Sequence, residues 1–211
     1  MSLLEGRKLY DISMTIQEGM QVYKNKDEKK LELRNTVNHQ TGSVYETRIG
    51  IDAHCGTHLD APLHILDGGA TIETIPLDRL ISKAQVVDVT HVEGGVSRLD
   101  LEALHIGQAD WLLLKTRNSF SEQFDFEFVY LAEDGAQFVI EKGIRGVGTD
   151  GLGIERAQPG HLTHRALMNN DILILEGLRL KDVEPGVYDF VLAPLKLSGI
   201  EAAPARAFLL G

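Results

Sequence analysis

The chain has a single cysteine, Cys55, in 211 residues, which excludes an intrachain disulfide framework and fits a reducing compartment. Positive charge is scarce: 21 lysines and arginines stand against 31 aspartates and glutamates, a formal charge of -10. Nucleic acid and anionic membrane would both be repelled, and no basic patch interleaved with aromatics offsets this, so neither is expected as a partner. No apolar run approaches the length of a membrane span. The opening residues, MSLLEGRKLY, are too short and too charged to read as a signal peptide, so a cytoplasmic location is expected. Nothing resembles a linker or an internal repeat. The length suits one domain, residues 1–211, able to bury its own core without staples.

Along that domain strand patterns dominate. Period-two alternation marks a first strand over Lys8 to Ile16. It marks two more over Leu31 to Val37 and Val44 to Ile51, with the Gln40–Ser43 stretch between them as a hairpin turn. Further strands are expected over Gln85 to Val89, Trp111 to Leu114, Arg145 to Gly148, Ile172 to Leu175, Val187 to Ala193 and Ala205 to Leu210. TIETIPLDRLI reads as a short helix or a pair of turns, and Asp100 as the cap of a short helix with Leu101 and Leu104 facing inward. Helical periodicity covers Ala132 to Lys142, ended by Gly143, and Gly160 to Asn169. Helices alternate with strands in the second half. The expected fold is therefore α/β, a mixed and β-rich sheet curling toward a barrel, with flanking helices.

The chemistry is concentrated in eleven residues, HCGTHLDAPLH, from His54 to His64. Imidazole nitrogen and carboxylate oxygen are the ligand types of a catalytic divalent metal, and H-x3-H-x-D-x3-H supplies four within a short stretch. Gly56 permits a sharp bend and Pro62 discourages a continuous helix. The segment reads as a shaped loop, delivered by the preceding strand, in which His54, His58, Asp60 and His64 converge. A metal centre also draws ligands from far along the chain. Glu176 ends the apolar strand ILILE, where a free carboxylate is costly to bury and must be paired, protonated or metal-bound. His161 and His164 share nearly one face of the expected helix, and spacing alone does not choose between them. Arg117, Asn118 and Arg165 are of a type to contact an anionic substrate group, but read first as packing or solvated residues. SFSEQFDFEFVY, with alternating aromatics and acids, reads as a half-buried strand or a lid.

With these residues in view, the chain resembles the metal-dependent cyclase family, which includes bacterial kynurenine formamidases and isatin hydrolases. The resemblance runs through HCGTHLDAPLH and DGGATIETIPLDRL, and resumes in THRALMNNDILILEGL and VLAPLKLSGIEAAPARAFLL. It implies that His54, His58 and Asp60 bind metal, with His64 beside the metal as a proton-transfer group. It also implies a helical histidine and, twelve residues on, a strand-end glutamate as downstream ligands, which selects His164 and Glu176. One or two divalent ions, zinc or manganese, are implied, in a homo-oligomer (dimer or tetramer) acting on a small-molecule amide. The implied reaction is hydrolysis of a C–N amide bond, in an aryl formamide or cyclic amide, by metal-activated water. Where members often carry Trp-Pro-Gly-Asp or Tyr-Pro-Gly-Asp after the first strand, this chain has Val22, Tyr23, Lys24 and Asn25. Two other classes are weighed against this. One is a thiol hydrolase using Cys55, disfavoured because adjacent residues of an extended segment point opposite ways. The other is a non-catalytic, metal-stabilised binding protein.

Overall fold

The structure, a computed structural model, describes residues 5–211. Seven strands close a mixed barrel. Their order is β12 (Ala202–Leu210), β11 (Gly186–Pro194), β5 (Ile81–Asp88), β7 (Trp111–Lys115), β9 (Gly146–Thr149), β10 (Leu173–Glu176) and β4 (His58–Asp60). Strand β4 pairs back onto β12 and so closes the ring. Strand β1 (Leu9–Asp11) adds to the free side of β12. Strands β5, β7, β9 and β10 are mutually parallel. Parallel neighbours need crossovers, and the helices supply them: α1 (Arg98–Glu102), α2 (Glu133–Glu141) and α3 (Leu162–Asn169). Two further pairs stand outside the barrel, the hairpin β2 (Glu32–Val37) with β3 (Glu46–Gly50) and the short parallel pair β6 (Gly95–Val96) with β8 (Tyr130–Leu131).

Alternation along the strands sorts the apolar residues into two cores. Trp111 and Leu113 join Leu59, Leu173, Leu175 and Phe190 in one cluster, while Leu112, Leu114 and Ile174 join α2 and α3 residues in the other. The first fills the barrel and the second lies between the barrel and its helices. A small barrel is filled by setting small residues opposite large ones. Strand β9 does this with Gly146 and Gly148, where an added Cβ would come within 2.5 Å of the Trp111 ring and 2.6 Å of the Leu113 side chain.

Most of the expected elements are present, with four differences. The His54–His64 segment is not all loop: His58, Leu59 and Asp60 form barrel strand β4, buried and paired on both edges. The strand before it, β3, belongs to the exposed hairpin and not to the scaffold. Helix α1 is capped by Ser97, with Asp100 as its reciprocal partner in a capping box, because the serine hydroxyl reaches the Asp100 amide. The phenylalanine-rich stretch forms no long strand. A 3-10 turn at Arg117–Phe120 leads into irregular chain, with Phe128 buried and Phe120 and Phe126 exposed.

Candidate metal centre

Leu59 points into the barrel, so its neighbours His58 and Asp60 must point out of it, toward the helical side. Glu176 shares the face of Ile174 on β10, and the register pairs Glu176 directly with His58 and Ile174 with Asp60. The strand pairing alone therefore sets three ligand-type side chains on one patch. Helix α3 packs against β10 and brings His164 onto the same patch. His54 sits in the turn before β4, and His64 ends the 3-10 turn Pro62–His64 after it.

Glycine fixes how these pieces meet. At Gly177, directly after Glu176, φ is +71°, and an added Cβ would lie 2.3 Å from the Gly56 carbonyl oxygen. The close approach is tied by Thr57, whose hydroxyl donates to the Gly177 carbonyl at 2.6 Å and accepts from the Met14 amide at 2.7 Å. Only glycine combines that backbone angle with that contact.

The side chains converge tightly. His58 Nε2 lies 3.2 Å from Glu176 Oε2 and 3.5 Å from Asp60 Oδ1, and His54 Nδ1 lies 3.1 Å from Asp60 Oδ1. His164 Nε2 is 3.7 Å from Glu176 Oε1 and 3.9 Å from Asp60 Oδ2. Potential ligand atoms of His54, His58 and Asp60 all fall within 4.8 Å of one another, as do those of Asp60, His64 and His164. Yet His58 Nε2 and both Asp60 oxygens are buried without a hydrogen bond. The His54 and His58 contacts with Asp60 are near enough for charge attraction and off hydrogen-bond geometry. A buried carboxylate and imidazole left unpaired are expensive, and a cation bound between them is the economical remedy. The residues present fit a divalent metal.

Three contacts set the orientation. His58 Nδ1 donates to the Gly56 carbonyl at 2.9 Å, so that once the ring is neutral its lone pair lies on Nε2. Glu176 Oε1 accepts from the Ile154 amide at 2.6 Å, which leaves Oε2 toward His58. Glu155 Oε1 accepts from His164 Nδ1 at 2.8 Å, turning His164 Nε2 inward. The same Glu155 oxygen accepts from His161 Nδ1 at 2.8 Å, and its other oxygen from the Thr163 amide at 3.1 Å.

Charge follows this geometry. Burial alone would lower the His58 pKa, but Glu176 and Asp60 outweigh it and push it up to about 9. Burial would raise Asp60, and the surrounding histidines hold it well below the usual carboxylate range instead. Glu155 is likewise held down against burial by His164, His161 and the Thr163 amide. His64 is pushed down, first by burial and then by His54 and His164, against the pull of Asp60.

All six residues singled out from the sequence, His54, His58, Asp60, His64, His164 and Glu176, meet here. His161 is outside this cluster but lines the same cavity and forms a separate ligand-type group with Glu155 and His164. It precedes α3 with φ +50°, off the helix face, and 45% of its side chain is exposed against 8% for His164. Glu155 was missed, because its nine-residue separation from His164 is bridged by a turn that no periodicity marks. Cys55 is buried, its Sγ 3.8 Å from Met20 Sδ, and burial followed by Asp52 pushes the thiol up, which opposes a thiolate nucleophile. Arg117, Asn118 and Arg165 bond to main-chain carbonyls of Glu127, Val129 and Gly160, as packing residues do.

A family model described as "Putative cyclase" matches residues 10–156. The chain belongs to the cyclase family. Among family relatives it is 32% identical to a kynurenine formamidase of Erythrobacter litoralis over 96% of this chain and 94% of that protein. A solved structure described as a potential metal-dependent hydrolase with cyclase activity superposes with a TM-score of 0.90 at 50% identity, covering 97% of this chain and 98% of that one. Isatin hydrolase A of Labrenzia aggregata shares the fold, with a TM-score of 0.85 at 21% identity over 99% and 95% of the two chains. The His54–His64 segment lies inside the matched region, and His164 and Glu176 lie beyond it.

Proposed function

We propose that residues 1–211 act as one metal-dependent hydrolase domain that cleaves a C–N amide bond of a small molecule, an aryl formamide or a cyclic amide. The observation that carries this is the set of unpartnered buried atoms, His58 Nε2 and both Asp60 oxygens, lying directly behind His54, His164 and Glu176, which line a cavity of about 530 Å³. That volume suits a small-molecule ligand. The similarity to kynurenine formamidases supports the bond type. His54, His58 and Asp60 would hold the cation, with His164 and Glu176 completing the set for one or two ions, zinc in first place and manganese in second. When bound, such an ion supplies a Lewis acid and an acidified water.

The remaining tasks fall on the chain itself. Gly56 and Glu155 fix the tautomers of His58 and His164, and the Ile154 amide holds Glu176. His64 lines the cavity with its ring 4.4 Å from that of His54 and 5.5 Å from that of His164. With its pKa pushed down it is neutral near pH 7, able to take a proton and pass it to the departing nitrogen. No helix among the described residues is long and apolar enough to cross a membrane, and we place the protein in the cytoplasm. We also assign it a homo-oligomer. The β2–β3 hairpin is exposed along almost its whole length, including Leu33 and Ile49, and a two-stranded ribbon is marginal alone.

The test is a hydrolysis screen of N-formyl anilides, isatins and cyclic amides with zinc- and manganese-loaded protein. Turnover that chelation abolishes while the fold persists supports the hydrolase. Global unfolding on chelation, with no substrate cleaved, would instead mark a metal-stabilised binding protein.

A further inference from the structure

The cavity that holds the candidate metal residues is also lined by Tyr23, Lys26 and Lys29, from a segment that carries none of those residues. Its remaining charged lining is acidic: Asp52, Glu155, Glu176 and Glu201. Most of these groups are already engaged. Lys29 Nζ donates to Asp52 Oδ1 at 2.9 Å, and Asp52 accepts from the His54 amide at 2.9 Å, so this lysine braces the turn bearing His54. Lys26 differs. Its one charge partner among the described residues is Glu28, 3.5 Å away on a side chain 70% exposed, a contact worth little in water.

The turn that presents these two side chains is held in an uncommon shape. Lys24 and Asn25 lie consecutively in the left-handed region, at φ 56° and 53°, although neither is glycine. Asparagine enters this region readily, but for Lys24 it costs about 1 to 2 kcal/mol, and strain of this kind collects at ligand clamps. Tyr23, at its start, is fixed by edge-on packing against Phe124 and Phe128, with ring centroids 5.5 and 6.4 Å away. Gly153 leaves room for it: a Cβ there would lie 3.2 Å from the Tyr23 ring. The Tyr23 hydroxyl makes no hydrogen bond to the described residues, while burial, Glu176 and Glu155 keep it protonated and so a donor. A free donor and a nearly free cation thus stand three residues apart on one cavity.

We infer that Tyr23 and Lys26 are the specificity-determining residues of this cavity and select an amide substrate that carries a carboxylate, the Lys26 ammonium pairing with that anion and the Tyr23 hydroxyl donating to it. This rests on the hydrolase reading above and adds to it the charge of the substrate. An ammonium whose one internal partner is an exposed glutamate keeps most of its charge for an incoming anion, which it attracts locally against the acidic remainder of the chain.

The test compares formanilide with 4-formamidobenzoate, which differ by the carboxylate, on metal-loaded protein. The wild type favours the benzoate by about two- to fivefold in kcat/KM, expressed in KM, and the preference shrinks as salt is added. Lys26→Gln brings the ratio to about one, Lys26→Glu takes it below one, and Tyr23→Phe lowers it partway. Lys30→Gln, at an exposed lysine paired with Asp27, keeps the wild-type ratio. A wild-type ratio of one, or a ratio that survives Lys26→Gln, overturns the inference. If neither formamide is cleaved, the wider screen above judges the hydrolase reading separately, and calorimetric binding of 4-aminobenzoate and of aniline to the loaded protein still decides the inference. Anion binding that weakens in Lys26→Gln supports the inference, and equal binding of both compounds, or anion binding indifferent to Lys26, overturns it.

Discussion

Replacing Glu155 by glutamine separates what the metal residues do from what holds them in place. Glu155 is buried, and one of its oxygens accepts from both His161 and His164 at 2.8 Å while the other accepts from the Thr163 amide at 3.1 Å. Glutamine keeps the shape but loses the charge and one acceptor. Charge-assisted hydrogen bonds exceed neutral ones by roughly 1 to 1.5 kcal/mol, and each 1.4 kcal/mol is about tenfold in affinity. Loss of the carboxylate behind His164 should therefore weaken metal binding about tenfold, toward the hundredfold end if His164 also rotates. A second cost is separable. With its oxygen toward the histidines, the glutamine sets its NH2 against the Thr163 amide, leaving a buried donor unpaired at about 1 to 3 kcal/mol. In a chain of this length that lowers the melting temperature by about 2 to 4 °C per kcal/mol. Chelator competition measures the first effect, and thermal melting of metal-free protein the second. A lower melting temperature with metal affinity unchanged within twofold would show that Glu155 only caps α3, and the orienting argument would fail.

His64→Ala should lower turnover by about 100-fold or more, the usual worth of a general acid–base group, with metal content by elemental analysis nearly intact; loss of the metal would make His64 a ligand. Asp60→Ala, which removes the two unpartnered oxygens, should lose metal and activity together. Gly146→Ala drives a methyl into the Trp111 ring, and overpacking of this kind costs about 1 to 3 kcal/mol by denaturant melting; an unchanged midpoint would contradict the barrel packing. Cys55→Ser should retain activity, since the thiol faces Met20, and inactivation of a folded variant would revive a thiol mechanism. In metal-free protein the raised His58 pKa stabilises the fold fully below about 6.5, its unfolded value, and that stability drains away as pH rises through about 9. Melts in chelator should fall across that window while metal-loaded protein, whose cation replaces the proton, stays flat; parallel curves would refute the competition.

The two levels of reading diverge at identifiable residues. The β2–β3 hairpin, the α2 helix ended by Gly143 and the buried strand at Trp111 are all local patterns, so periodicity and turn chemistry reveal them. The histidine segment was legible as a ligand cluster because its residue types are rare in combination. Its conformation was not, since whether three residues form a loop or a barrel strand depends on partners more than a hundred residues away, in β10 and β12. Ser97 and Asp100 show the same limit on a small scale: both can cap a helix, and only the backbone decides which residue opens it.

By itself the sequence determined the class of fold, the acidic surface, the ligand-rich segment and the family whose motifs it carries. Tertiary structure decided the rest. Barrel closure set His58 opposite Glu176, α3 brought His164 to them, and the turn before it placed Glu155 behind His164. The packing also brought Tyr23 and Lys26 to the cavity and left Lys26 with only the exposed Glu28 as a charge partner among the described residues. These are contacts between residues far apart in the chain. Their energies come from burial and geometry that exist only once the strands are paired, which is why no local pattern records them.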